Sequence, residues 1–210
     1  MGFFKTIFII CCFVSFVACK QKPKIQFDAE NWQPPYSLAM PKGWGVERFS
    51  IPIEFATKIP YTGVEDIRFA PSFGLNESDD YWSYAFLWYL DGSPEINAEV
   101  IQENLKAYYS GLVGRNIDRR KIPVDKIIPT KTSFEKIQST NGDLQTYSGT
   151  IEMLDYMAQK PMTLHCIVHI KRDEIKDRTF VFHELSPQPP DSTVWASLDK
   201  LWVDFNYKKQ

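Results

Sequence analysis

Apolar and polar side chains alternate along much of the chain after residue 44, and this period of two predicts β-strands. In ERFSIPIEFA, Phe49, Ile51, Ile53 and Phe55 alternate with polar residues and Pro52. Proline cannot donate a ladder hydrogen bond, so this strand is predicted to lie at a sheet edge or to contain a bulge. Further strands are predicted at 65–70, 132–138, 144–155, 162–171 and 178–185.

The segment YWSYAFLWYL (81–90) is apolar on both faces of a strand, with Trp82 and Trp88 on one face and Leu87 on the other. It is too short to cross a bilayer as a helix, which needs about 20 residues. We therefore predict an interior strand that is covered on both sides. The alternative is an exposed platform on which Trp82 or Trp88 stacks against a ligand such as a carbohydrate.

Two segments have a helical period of apolar residues. The first begins near Pro94 and Asn97 and is predicted to end at Gly114. The second begins near Asp191 or Ser192 and carries an apolar stripe that includes Trp202. Short connections favour antiparallel pairing, so we predict an α+β fold. Its mostly antiparallel sheet has about six to seven strands, with one amphipathic helix on each face.

The N-terminus has the pattern of a secretory signal, in which Lys5 precedes an apolar run at 6–17. The tetrapeptide Phe16-Val17-Ala18-Cys19 resembles the lipobox of bacterial lipoproteins. This resemblance implies cleavage between Ala18 and Cys19 and attachment of acyl chains, such as palmitate, to Cys19. The predicted organisation is a signal peptide at 1–18, a lipidated cysteine with a proline-rich tether at 19–45, and one α+β domain at 46–210.

The order of elements is also loosely similar to that of PsbP-like α/β/α sandwiches. The similarity includes an entry segment with Pro41 and Trp44 and a C-terminal helix. It implies a fold used mainly by binding and assembly factors, and it transfers no functional residue to this chain.

Composition and charge limit the classes of protein to which the chain can belong. Apolar residues make up 44% of the chain, which excludes a disordered protein, and the net charge of -2 gives no reason to expect nucleic-acid binding. No aspartate follows Cys19, where Lys20 and Gln21 stand instead. By resemblance to the sorting rule of many two-membrane bacteria, this favours a lipid anchor in the outer membrane, with the domain facing the periplasm.

The three histidines all lie between residues 165 and 183. His165 and His169 are separated by about 13 Å of strand rise and cannot share a metal through that spacing. His183 could lie beside His165 or Cys166 across a hairpin, which makes His165 and His183 candidate binding residues. A zinc site formed by the two histidines and Glu184, or by a cysteine and a histidine, is conceivable. Its ligand spacing matches no zinc signature, so neither a metal nor a cofactor is expected. A Cys166–His183 nucleophile pair is disfavoured because Cys166 is predicted to be buried and inert.

Two charged segments remain as weaker candidates. The acidic segment ESDD (77–80) lacks the ligand spacing and glycine of an EF-hand loop. The basic segment RNIDRRKIP (115–123), predicted to be a loop after the first helix, could receive an acidic partner or a phosphate group.

The sequence therefore predicts a non-enzymatic envelope lipoprotein. Its expected partners are the bilayer, through acylated Cys19, and either an envelope protein or a small ligand. The alternatives are an envelope hydrolase or transferase, and a carbohydrate-binding protein that uses Trp82 or Trp88.

Overall fold

The computed structural model describes residues 27–207. The predicted signal peptide, its cleavage site at Ala18 and the predicted lipid attachment at Cys19 lie outside the described residues. Within residues 27–207, no helix is both long enough and apolar enough to cross a membrane.

Seven strands form one antiparallel sheet in the spatial order β2-β3-β4-β8-β7-β6-β5. Neighbouring strands in this order are antiparallel throughout. The fold class predicted from the sequence, an α+β fold with a mostly antiparallel sheet, is therefore confirmed. The strands are β2 (Gly45–Ile51), β3 (Gly63–Phe69), β4 (Tyr84–Asp91), β5 (Lys131–Ile137), β6 (Gln145–Asp155), β7 (Lys160–Asp173) and β8 (Arg178–Ser186).

The strand that precedes Pro52 lies at an edge of the sheet, as predicted. β2 pairs only with β3 and ends at Ile51, immediately before Pro52. An edge strand leaves one side without ladder partners, so a residue that lacks an N–H is tolerated at its end.

The first helix, α1 (Ala98–Arg120), packs on one face of the sheet. Asn97 caps it by accepting a 2.9 Å hydrogen bond from the backbone N–H of Val100. The predicted end at Gly114 is wrong, because the helix continues for more than a turn and ends where Lys121 adopts a left-handed backbone with φ 52°. A glycine at an exposed helix position costs only about 1 kcal/mol, and burial of Val113 and Asn116 on either side offsets it.

The second helix, α2 (Thr193–Val203), packs on the opposite face. It begins after Ser192 and buries Trp195, Leu198 and Trp202 against β4 and β8. The prediction of one helix on each face of the sheet is therefore confirmed.

The strand β4 lies in the interior of the sheet, between β3 and β8. Trp82 is 1% exposed and Trp88 is 2% exposed, and Leu87 on the other face is fully buried. The prediction of a doubly covered strand is confirmed for β4, but residues 81–83 lie in a turn before it and not in the strand. The exposed stacking platform is wrong, because neither Trp82 nor Trp88 is open to solvent. Both indole N–H groups are used internally, since Trp82 donates to Asp155 and Trp88 donates to Glu65.

The segment before β2 differs from the predicted tether. Strand β1 (Tyr36–Ser37) pairs with β9 (Asn206–Tyr207) near the C-terminus, and Tyr36 and Leu38 are buried beside α2. Arg68 of β3 binds this segment by donating a 3.0 Å hydrogen bond to the carbonyl of Ala39. The packed domain therefore begins well before residue 46, because aromatic and aliphatic side chains of the segment complete the second core.

Candidate functional site

Helix α2 covers β4 and β8 but leaves the same face of β5–β7 partly open. Between the helix and this open face lies a groove of about 420 Å³, which we call the α2 groove. Trp195, Ala196 and Asp199 form its helical wall. Its floor is contributed by the strands and includes Thr146, Ser148, His165, Ile167, His169 and Glu184.

Asp143 contacts the Nδ1 side of the His169 imidazole. Its Nδ1 lies 2.7 Å from Asp143 Oδ2, and both side chains are almost completely buried. Thr146 also donates to Oδ2, at 2.9 Å. The other carboxylate oxygen accepts a 2.8 Å hydrogen bond from the indole N–H of Trp202 and lies 3.8 Å from the ammonium of Lys171. Asp143 is therefore a fixed, fully used acceptor that sets the orientation of the imidazole.

The other side of the imidazole faces Glu184. His169 Nε2 and Glu184 Oε1 lie 3.3 Å apart as an ion pair, and both side chains are buried. In the part of the chain that the structure describes, neither atom has another hydrogen-bond partner. The two groups therefore form a buried ion pair in the floor of the α2 groove.

The charges of this pair follow from its surroundings. Burial alone would lower the pKa of His169, but its contacts with Asp143 and Glu184 outweigh burial and raise the pKa to about 9. Burial raises the pKa of Glu184 above its ordinary value, while His169 acts in the opposite direction. At neutral pH, His169 is therefore an imidazolium held between two carboxyl groups.

The two predicted binding histidines do not meet. His165 pairs with Ser186 across β7 and β8, whereas His183 pairs with Val168. Because residues 165 and 168 point to opposite faces of β7, His165 lines the α2 groove and His183 lies under α1. A shared His165/His183 site is therefore wrong.

His183 is a core residue. Its ring stacks on Phe86 with centroids 4.1 Å apart, and burial lowers its pKa to about 3. Cys166 also packs in the core under α1, where burial raises the pKa of its thiol. Both groups are neutral and enclosed, which leaves them unsuited to nucleophilic chemistry or ligand binding.

The two charged segments that the sequence offered as candidates lie in turns and in α1. The acidic segment 77–80 lies in the turns between β3 and β4. The prediction of a loop at 115–123 is wrong for its first six residues, because α1 continues to Arg120. Among residues 27–207, no group of three or more His, Cys, Asp or Glu side chains is arranged to hold a metal ion.

Sequence reasoning missed Asp143, and it considered Glu184 only as a zinc ligand, without its pairing with His169. Glu184 carried a usable signal, because it is a carboxylate within the otherwise apolar strand FVFHEL. Asp143 stands in a turn, where a polar residue is ordinary, and its role appears only when β6 and β7 bring it to His169.

Comparison of the chain with protein families, with curated proteins and with solved structures finds no match. The lipoprotein anchor and the PsbP-like fold, which rest on resemblances alone, therefore stay predictions.

Proposed function

We propose that this chain is a lipid-anchored, non-enzymatic binding protein of the bacterial envelope, and that its α2 groove binds a small polar ligand. The anchor rests on the lipobox-like sequence that ends at Cys19. The observation that carries the binding function is the α2 groove itself, in which the half-buried side chains of Ser148 and His165 lie beside the ion pair of His169 and Glu184.

The polar side chains of the groove indicate the chemistry of the ligand. The hydroxyl of Ser148 and the imidazole of His165 can each donate or accept a hydrogen bond. A neutral group that carries both donors and acceptors, such as an amide or a vicinal diol, matches them. Trp195 and Ile167 supply apolar surface in the same groove, which suits a ligand with a partly apolar body.

Binding is favoured over hydrolysis by the state of His169. With a pKa of about 9, this imidazole is already protonated at neutral pH and cannot accept a proton from a nucleophile. The side chain of Cys166 packs in the core on the α1 side of the sheet, whereas His169 lies on the α2 side. The cluster is therefore arranged to hold a polar group.

The test uses calorimetric titration of the lipidated chain in detergent with N-acetylglucosamine, a probe that carries both an amide and vicinal hydroxyls. Ala196 is exposed and lines the α2 groove, so Ala196→Trp should obstruct the groove without touching the core. Ser197 is exposed beside it but does not line the groove, which makes Ser197→Trp the matched control.

We expect saturable binding that Ala196→Trp weakens at least tenfold and that Ser197→Trp leaves unchanged. Glu184→Gln should also weaken binding, because it replaces the carboxylate of the His169 ion pair in the groove floor with a neutral amide. Saturable binding of equal strength in both tryptophan variants, or no binding by the unmodified chain, would refute the assignment of the α2 groove.

A further inference from the structure

A second cavity lies on the other face of the sheet, between β2–β4 and the C-terminal half of α1. Its volume is about 270 Å³, and we call it the aromatic cavity. Aromatic rings from the strands and from two connecting turns dominate its wall. These rings belong to Phe49, Phe69, Phe73, Trp82, Tyr84 and Tyr156.

Three arginines of α1 stand at the mouth of this cavity. Arg115, Arg119 and Arg120 line it and are exposed. Arg115 lies over the ring of Phe55 at 5.0 Å, and Arg120 lies over the ring of Tyr156 at 5.1 Å. In the described part of the chain, none of the three has a carboxylate within salt-bridge distance.

The charge of the mouth is therefore positive. Glu47 is the one acidic side chain among the lining residues, against the three guanidinium groups. Arginines in the last turn of a helix commonly offset the helix dipole. The helix dipole does not explain Arg115, which lies more than one turn before the end of α1. It also does not explain the aromatic cavity next to the three arginines.

Trp82 gives an independent reason to regard the cavity as functional. Its backbone adopts a left-handed conformation with φ 53°, which is unfavourable for a bulky side chain. The conformation is maintained by Asp155, whose two oxygens accept hydrogen bonds from the Trp82 indole at 3.1 Å and from the Tyr81 hydroxyl at 2.7 Å. Strained residues of this kind concentrate at ligand sites, and here the strain places an indole in the wall of the cavity.

We propose that the aromatic cavity binds an amphipathic anion, namely a carboxylate or phosphate monoester carried on a short apolar or aromatic group. The apolar group occupies the space between the rings, and the anion pairs with the arginines at the mouth. Guanidinium groups bind both kinds of anion through paired N–H donors. A volume of about 270 Å³, at ~30 Å³ for each water-sized unit, holds a body of roughly nine heavy atoms.

This site is separate from the α2 groove, because the sheet lies between them. The α2 groove offers hydrogen-bond donors and acceptors to a neutral polar group, whereas the aromatic cavity offers cations to an anion. A test of one assignment therefore does not decide the other.

The test uses calorimetric titration of the full chain in nanodiscs of neutral phosphatidylcholine. The probes are 3-phenylpropanoate, its neutral counterpart 3-phenylpropanamide, and inorganic phosphate. The variant is Arg115→Gln with Arg119→Gln and Arg120→Gln. The matched control removes the same charge from three exposed residues that do not line the cavity, as Lys106→Gln with Lys136→Gln and Lys160→Gln.

We expect 3-phenylpropanoate to bind saturably and at least tenfold more tightly than the amide, because hydrogen bonds to charged groups contribute roughly tenfold or more in affinity. The arginine variant should lose this preference, and the lysine variant should keep it. Inorganic phosphate alone should bind more weakly than the aromatic anion, because it leaves the rings uncovered.

Three results would overturn the proposal. Equal affinity for the acid and the amide would show that the arginines do not recognise charge. An arginine variant with a lower melting temperature but unchanged binding would show that they only stabilise the end of α1. Loss of 3-phenylpropanoate binding when anionic phosphatidylglycerol is added to the nanodisc would assign the arginines to the membrane surface.

Discussion

The indole N–H of Trp202 donates a 2.8 Å hydrogen bond to Oδ1 of Asp143. This contact joins the last helix to the turn between β5 and β6, far away in the chain. It also fixes the carboxylate that orients His169, so the packing of α2 and the geometry of the α2 groove depend on the same pair.

Replacement of Trp202 by alanine should therefore damage both the core and the groove. Truncation of a buried tryptophan costs about 3–5 kcal/mol, a large part of the 5–15 kcal/mol that is typical of a domain. Trp202→Ala should lower the free energy of unfolding by about that amount in urea titrations. Val203→Ala, at a position that is 53% exposed, is the control and should change little. An unchanged melting temperature in Trp202→Ala would show that α2 does not dock on the sheet.

The buried carboxyl group of Glu65 should make stability depend on pH. Burial raises its pKa to about 8, although hydrogen bonds from Tyr108 and Trp88 act in the opposite direction. Because the folded-state pKa lies above the ordinary value of 4.5, the contribution of Glu65 is fully present below about pH 4.5. It is lost as pH rises through 8.

Glu65→Gln keeps the shape of the neutral acid and should be more stable than the unmodified protein at pH 8. The difference should be up to about 5 kcal/mol, at about 1.4 kcal/mol for each pKa unit, and should vanish near pH 4. Urea titrations at several pH values measure it, with exposed Glu135→Gln as the control. A pH profile identical to that of the unmodified protein would contradict the raised pKa of Glu65.

The histidines should titrate far apart. His169 has a pKa of about 9 and His183 has a pKa of about 3. Nitrogen-15 spectra should therefore show the His169 ring protonated at pH 8 and the His183 ring still neutral at pH 5. Titration of both the His169 and His183 rings near 6.5 would show that neither environment is as described.

The same shift gives His169 a role in stability. Its folded-state pKa is raised above 6.5, so its contribution is fully present below about pH 6.5 and is lost as pH rises through 9. His169→Gln should remove that contribution and leave a flatter stability profile between these values. Exposed Lys136→Gln serves as the control, and a profile of unaltered slope in His169→Gln would count against this role.

Cys19→Ser should prevent attachment of lipid, because serine lacks the thiol that would accept the diacylglyceryl group. We expect the precursor to stay uncleaved and to incorporate no labelled palmitate. The control is Cys166→Ser, which removes the buried thiol of the domain and should leave labelling intact. Labelled fatty acid in the Cys19→Ser chain would refute the lipobox interpretation.

Strand positions could be predicted from the sequence because a period of two is visible without knowing which strands are neighbours. The predicted strand at 144–155 matches β6 (Gln145–Asp155), and the predicted strand at 178–185 matches β8 (Arg178–Ser186). The end of α1 was missed because Gly114 is a helix-stop signal only when packing does not continue beyond it.

The α2 groove could not be predicted because it depends on register. His169 meets Glu184 and Asp143 only after β6, β7 and β8 are aligned, and a shift of one residue would turn His169 to the other face. The same dependence separated His165 from His183. Local patterns indicate which residues are buried, whereas a site formed across three strands requires their pairing.

The packing of the segment that contains Tyr36 limits the distance between the domain and a lipid attached to Cys19. If Cys19 carries the lipid, the chain from Cys19 to Phe27, the first described residue, spans at most about 29 Å even when fully extended, at ~3.6 Å per residue. That length is less than the ~30 Å thickness of a bilayer's hydrocarbon core. With such an anchor, the domain would stay within this distance of the membrane surface and would meet its ligands there.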